Sequence, residues 1–200
     1  MKKTFLSLIF MMIIVLSSYA QSSEHLKFKG VPIDGTLNEY VLKMKQVGFQ
    51  LIETDDGVAL LEGEFAGYRD CMVGVKTLQK QDLVYEVSVI FPMQNEWSGL
   101  NDNYESLKLM LSQKYGEPIE CVEEITLLKE KTKDEINKIM MDDFAFFYHI
   151  GMCTWYSVFK TLNGDINLSI ENKGFNCFVF LSYSDKINGN KHKDAAMEDL

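Results

Sequence analysis

The period-two segments of this chain constrain its fold more than any other feature. Phe49–Thr54, Val58–Phe65, Cys71–Leu78 and Leu83–Phe91 follow one another with only short polar connections. A period of two places alternate side chains on one face of a strand. In the last segment Leu83, Tyr85, Val87, Val89 and Phe91 share a face, with Glu86 and Ser88 on the other. Asp55-Asp56-Gly57 is a tight-turn signal. Connections this short require antiparallel neighbours, because a parallel pair needs a long crossover. The expectation is a four-stranded meander. A second group comes later: Cys153–Leu162 and Ile166–Glu171 joined through Asn163-Gly164, then Phe175–Tyr183 after Gly174.

Helices punctuate these groups. Thr36 and Glu39 form a T-x-x-E capping box ahead of Leu37, Tyr40, Val41 and Met44, and Gly48 is placed to end that helix in a left-handed cap. A second helix is predicted over Asn103–Tyr115, stopped by Gly116 and Pro118. Thr132 and Glu135 open a third that runs to Tyr148, with Ile136, Ile139, Met140, Phe144 and Phe147 inward. His25–Gly35 and Ile119–Leu128 read as extended. The fold class is therefore α+β: antiparallel meanders of about four plus three strands against about three helices. One domain is expected over residues 21–187, then a loose polar tail over 188–200. Two halves of similar make-up are conceivable, but no residue-level repeat marks a duplication.

The first twenty residues carry an address. Lys2 and Lys3 precede an apolar run from Phe5 to Leu16 broken only by Ser7, and Ser18-Tyr19-Ala20 supplies small residues for cleavage. These are the parts of a secretory signal peptide cut after Ala20. The run is shorter than the roughly 20 residues of a spanning helix, so no stable membrane anchor is expected. The first cysteine is Cys71, far from the cut, which argues against a lipidated amino terminus. The formal charge is −9, and losing Lys2 and Lys3 makes it more negative still. An acidic chain repels phosphate backbones, so nucleic acid is excluded as a partner.

Chemistry is sparse. Cys71, Cys121, Cys153 and Cys177 lie far apart without a CxxC, which disfavours zinc and thioredoxin-type sites. Export permits disulfides, with three full pairings. Cys153 and Cys177 should sit on strands separated by a third, roughly 9.5 Å apart and too far to bridge. A bridge from that group would more naturally use Cys121. Of His25, His149 and His192, His149 has the best claim to catalysis, four residues before Cys153; a cysteine nucleophile needs a histidine in reach. The competing reading is a histidine favoured at a helix carboxyl terminus. Asp55-Asp56, Glu123-Glu124 and Asp142-Asp143 read as turns and solvated faces, because adjacent carboxylates do not converge on one bond. Gly-x-Ser-x-Gly, His-Glu-x-x-His, the dinucleotide fingerprint, the Walker loop and the EF-hand pattern are absent, and no cofactor or metal is called for. The aromatic run Phe144–Tyr148 reads as core. Trp97, in the polar stretch Asn95–Asn103, is a candidate contact anchor.

Several stretches resemble a family. Phe28-Lys29-Gly30-Val31-Pro32-Ile33-Asp34-Gly35, Lys114-Tyr115-Gly116-Glu117-Pro118, Gly164–Ile170 and Tyr183-Ser184-Asp185-Lys186-Ile187-Asn188 together resemble small exported proteins of Bacteroidales-type gut bacteria. The resemblance covers most of the chain after residue 20 and implies a periplasmic destination, with an extracellular one as the alternative. It carries no catalytic or binding residue. The expectation is an exported, non-enzymatic binding module for an envelope protein or small ligand, its oligomeric state open. The alternatives are a hydrolase using Cys153 and His149, and an envelope accessory protein whose tail meets a partner.

Overall fold

The computed structural model describes residues 24–78, 81–94, 96–125, 132–149, 151–174 and 176–198, without the side chains of 142–146, 148, 149, 192, 195, 196 and 198. The expected signal peptide, with its cut after Ala20, lies outside the described residues. Among them the order is β1 (Lys27–Phe28), β2 (Val31–Pro32), α1 (Leu37–Gln46), β3 (Gln50–Asp55), β4 (Val58–Phe65), β5 (Tyr68–Leu78), β6 (Leu83–Ile90), α2 (Trp97–Tyr115), β7 (Glu120–Ile125), α3 (Lys133–His149), β8 (Cys153–Lys160), β9 (Gly164–Lys173), β10 (Asn176–Asp185) and α4 (Lys186–Glu198).

The two expected meanders are not separate. They form one eight-stranded antiparallel sheet in the order β3-β4-β5-β6-β10-β9-β8-β7, and β1 and β2 make a small hairpin of their own. The junction is β6 against β10, with Ser88 opposite Ser182 and Val87 opposite Tyr183. Each half is a helix followed by four meandering strands, α3 being inserted between β7 and β8. The strand count thus exceeds four plus three: β7 joins the second group, and the leading segment forms the hairpin. The tail also departs from expectation, since residues 186–198 form a helix.

Local chemistry explains the elements. Both capping boxes are made: Thr36 Oγ1 accepts from the Glu39 N–H while Glu39 accepts from the Thr36 N–H, and Thr132 and Glu135 do the same. Asp56 and Gly57 have φ of 39° and 77°, and Ala66 and Gly67 have 52° and 86°, the left-handed pair of a two-residue hairpin turn. Asn163-Gly164 behaves differently. Thr161 Oγ1 organises that loop by accepting from the Asn163 and Gly164 N–H groups. Gly164 is needed because a Cβ there would collide with the Ser184 carbonyl. A register shift between Lys76 and Thr77 leaves Tyr85 unmatched, so Val84 rather than Tyr85 turns inward, and the expected face holds only from Val87 to Phe91.

The first three helices and the hairpin cover one face of the sheet. Val73 and Val75, Val87 and Val89, Leu181 and Tyr183, Ile166 and Leu168 join one core with Tyr40 and Met44 of α1 and Leu100, Tyr104 and Leu107 of α2. Phe28 of the hairpin stacks on Phe65 at 4.8 Å, meets Tyr183 edge-on at 5.4 Å and lies 6.0 Å from Phe49. Outside the core, Lys108 and Lys133 each pair with Glu105 and Glu123, tying α2 and α3 to β7.

A buried latch closes the chain ends. Asp185, whose side chain is fully buried, accepts from the Leu26 N–H at 2.7 Å and the Asn188 N–H at 2.9 Å, and faces His25 Nδ1 at 3.0 Å. The Asn188 amide donates to the Val84 and Ile33 carbonyls. Removing a buried carboxylate that accepts several hydrogen bonds leaves its donors unsatisfied. We predict that Asp185→Ala lowers unfolding free energy by about 3 kcal/mol, while exposed Asp165→Ala changes it by under about 0.5 kcal/mol; urea denaturation of both variants checks this.

A pH dependence follows from Glu123. Burial alone would raise its carboxyl, but hydrogen bonds from Lys108 and Lys133 outweigh that and hold it below the ordinary glutamate range. A depressed carboxyl stabilises the fold fully above its unfolded pKa, and the contribution disappears as pH falls through the folded value. Glu123→Gln should therefore flatten the acid side of the stability curve below about pH 5, measured by denaturant titrations across pH.

Candidate functional site

Strand alternation gives the sheet a second face that the core does not use. On β4 to β10, Leu60, Met72, Ile90, Phe180, Tyr156 and Val158 stay half-buried, whereas their sequence neighbours Leu61, Val73, Val89, Leu181, Trp155 and Phe159 are buried. The contacts of α2 and α3 with the sheet reach the buried face: Tyr104 to Ser157, Trp97 to Trp155, Met140 to Cys153. The opposite face is touched at one end by the start of α4, where Ser184 and Asp165 line a hollow with Lys186 and Gly189.

Three parallel rows of side chains compose this face. One rung crosses all eight strands as Gln50, Glu62, Met72, Ile90, Phe180, Ser169, Tyr156 and Val122. Its middle is apolar. The next rung holds Gly74, Ser88 and Ser182, and both serines are 7% exposed, so small residues form the floor of a shallow trough. The third rung is charged: Lys76, Glu86, Ser184, Asp165 and Lys160. Lys76 and Glu86 pair at 2.6 Å. With Glu62, Glu120, Glu124 and Glu171 also on this face, carboxylates outnumber the lysines. The result is an apolar strip with a small-residue trough in an acidic surround.

The residues singled out in sequence land elsewhere. Trp97 is 2% exposed: it starts α2, meets Trp155 edge-on at 5.1 Å, and donates Nε1–H to Asn137 at 3.3 Å. It is core, not a contact anchor, because the helix begins six residues earlier than its periodicity suggested and turns the ring inward. His149 ends α3 and Cys153 begins β8, though the His149 side chain lies outside the described ones. Burial pushes the Cys153 thiol up to about 12 and the Cys177 thiol up to about 11. Such thiols stay protonated at neutral pH, the opposite of what a nucleophile requires. His25 has its two ring nitrogens facing Asp185 and Asp34, leaving none for a substrate. Asp142-Asp143 and the aromatic run lie in α3; of these only Phe147 has its side chain among the described ones, and it packs half-buried against the core. All four cysteines are free, as Cys121 opposes Ser157 and Cys153 opposes Ile125. Among the described residues no group of three or more His, Cys, Asp or Glu is placed to hold a metal, and no helix is long and apolar enough to cross a membrane.

Residues of the uncovered face were missed for a definable reason. Ile90 and Phe180 interrupt otherwise alternating strands, and that departure from period two was the available signal. No protein-family model, curated protein or solved structure matches this chain.

Thiol environments make a direct prediction. At pH 7.5 (about one unit below an ordinary thiol pKa), iodoacetamide should alkylate exposed Cys121 of the native protein within minutes. Cys153 and Cys177 should react only after unfolding, and peptide mass spectrometry over a time course reads each site.

Proposed function

We propose that this protein is an exported, periplasmic, non-enzymatic binding module that engages a protein partner through the uncovered face of its sheet. The observation that carries the reading is the one-sided coverage of the sheet by α1, α2 and α3: the face they leave open presents Met72, Ile90 and Phe180 side by side along one rung, with Tyr156 and Val122 beyond Ser169. A sheet face in water normally alternates to polar residues, and contiguous apolar surface rimmed by polar groups marks interaction sites. The surrounding carboxylates select the partner's chemistry. A protein segment carrying apolar side chains flanked by Lys or Arg complements the strip and its rim. The protonated thiols of half-buried Cys153 and buried Cys177 favour binding over the hydrolase alternative.

A defined probe tests this. A strand-length peptide alternating Leu and Lys should shift the amide resonances of β6 and β10 saturably, and raising salt from about 50 to about 300 mM should weaken it severalfold. Ile90→Thr and Phe180→Thr, which keep strand propensity, should each weaken binding about tenfold. Equal binding by a Leu/Glu peptide, or indifference to both substitutions, would overturn the proposal.

A further inference from the structure

On the opposite side of β10 lies a hollow of about 150 Å³ between α2 and the end of β4. Leu107, Met110 and Leu111 of α2 form one wall, and Phe65 and Leu181 line the sheet side. Phe65 is fixed by its stack on Phe28, and Leu107 and Leu181 are buried, so those surfaces are preformed. Met110 is 41% exposed and flexible, a natural movable wall. An apolar hollow of this size, open on one side, has room for a single six-membered ring.

The remaining lining is polar in a specific way. Tyr115 and Tyr183 are hydrogen-bonded to each other, and Lys114 is the single charged residue of the lining. Its Nζ lies 5.0 Å from the Tyr115 ring centroid, and among the described residues no carboxylate pairs with it. Apolar walls with one unmatched cation and a tyrosine pair complement an amphiphilic anion.

We propose that this hollow is a binding site for a small organic carboxylate bearing one ring or a short branched alkyl group. The apolar part fills the space between Phe65, Leu111 and Leu181, and the carboxylate meets Lys114. The site faces away from the rung of Ile90 and Phe180, so its failure and that of the protein-binding face are independent outcomes.

Benzoate, benzyl alcohol, benzylamine and acetate separate the contributions of ring and charge. Titrated into the purified protein and followed by amide chemical shifts, benzoate should bind saturably with a Kd of about 1 mM, with the largest shifts at Leu111, Tyr115 and Leu181. Benzyl alcohol should bind about tenfold more weakly, and benzylamine and acetate less still. Lys114→Met should bring benzoate down to the level of benzyl alcohol. Met110→Trp, at an exposed helix position, should fill the mouth and abolish both. Equal affinity for benzoate and benzylamine, shifts scattered over other lysines, or full binding by the Met110→Trp variant would overturn the site.

Discussion

The ladder between β6 and β10 is the interaction on which the rest of the structure depends. Each meander ends in a strand with apolar residues on both faces, Val-Ser-Val-Ile on β6 and Phe-Val-Phe-Leu on β10. Left unpaired, either would be a long hydrophobic edge open to other chains. Pairing them antiparallel around Ser88 and Ser182 consumes both edges at once and leaves β3 and β7 outermost. Those outer strands carry Glu53 and Asp55 or Glu120 and Glu124, charges that discourage further pairing. Because the two partners are distant in sequence, this contact orders much chain before it forms, which should make folding slow relative to helical proteins of similar size.

Joining the halves decides how the faces are used. With β6 and β10 adjacent, α1 and α2 cover neighbouring halves of one face, and the seam between them is filled by the hairpin through Phe28, Phe49, Phe65 and Tyr183. The hairpin is held in turn by Leu26 on buried Asp185. The first three helices and the hairpin are thereby committed to one face, and α4 touches the other only at one end. The other meets water with an apolar strip that a solely structural role does not require.

Much of this was legible in sequence because the governing forces are local. Both capping boxes and the Asp56-Gly57 turn act within a few residues, and the helices at 37–46 and 133–149 lie close to their predicted bounds. The antiparallel meanders follow from short connections. Long-range matters were not legible. Nothing in β6 alone specifies β10 as its neighbour, and without that pairing Ile90 and Phe180 read only as blemishes in the alternation. Trp97 misled because its polar neighbours describe the outer side of a helical turn, while the ring packs inward on Trp155 from a distant strand. The tail misled for the opposite reason: its composition is polar, but Asn188, bonded to Ile33 and Val84, anchors the first turn of a helix.

The pleat of β10 keeps the two proposed surfaces chemically separate although they share a strand. Phe180, Ser182 and Ser184 point to the uncovered face, and Leu181 and Tyr183 point to the hollow beside α2. Successive side chains therefore belong to different sites, and one residue of register slip would exchange them. That slip is opposed on one side by Val87 and Val89 against Tyr183 and Leu181, and on the other by Ile166 and Leu168 against the same pair. The core that fixes the register thus also fixes which side chains each surface presents. A substitution that loosened this packing would disturb both surfaces together, whereas a change at Phe180 or Lys114 alters one and leaves the other intact.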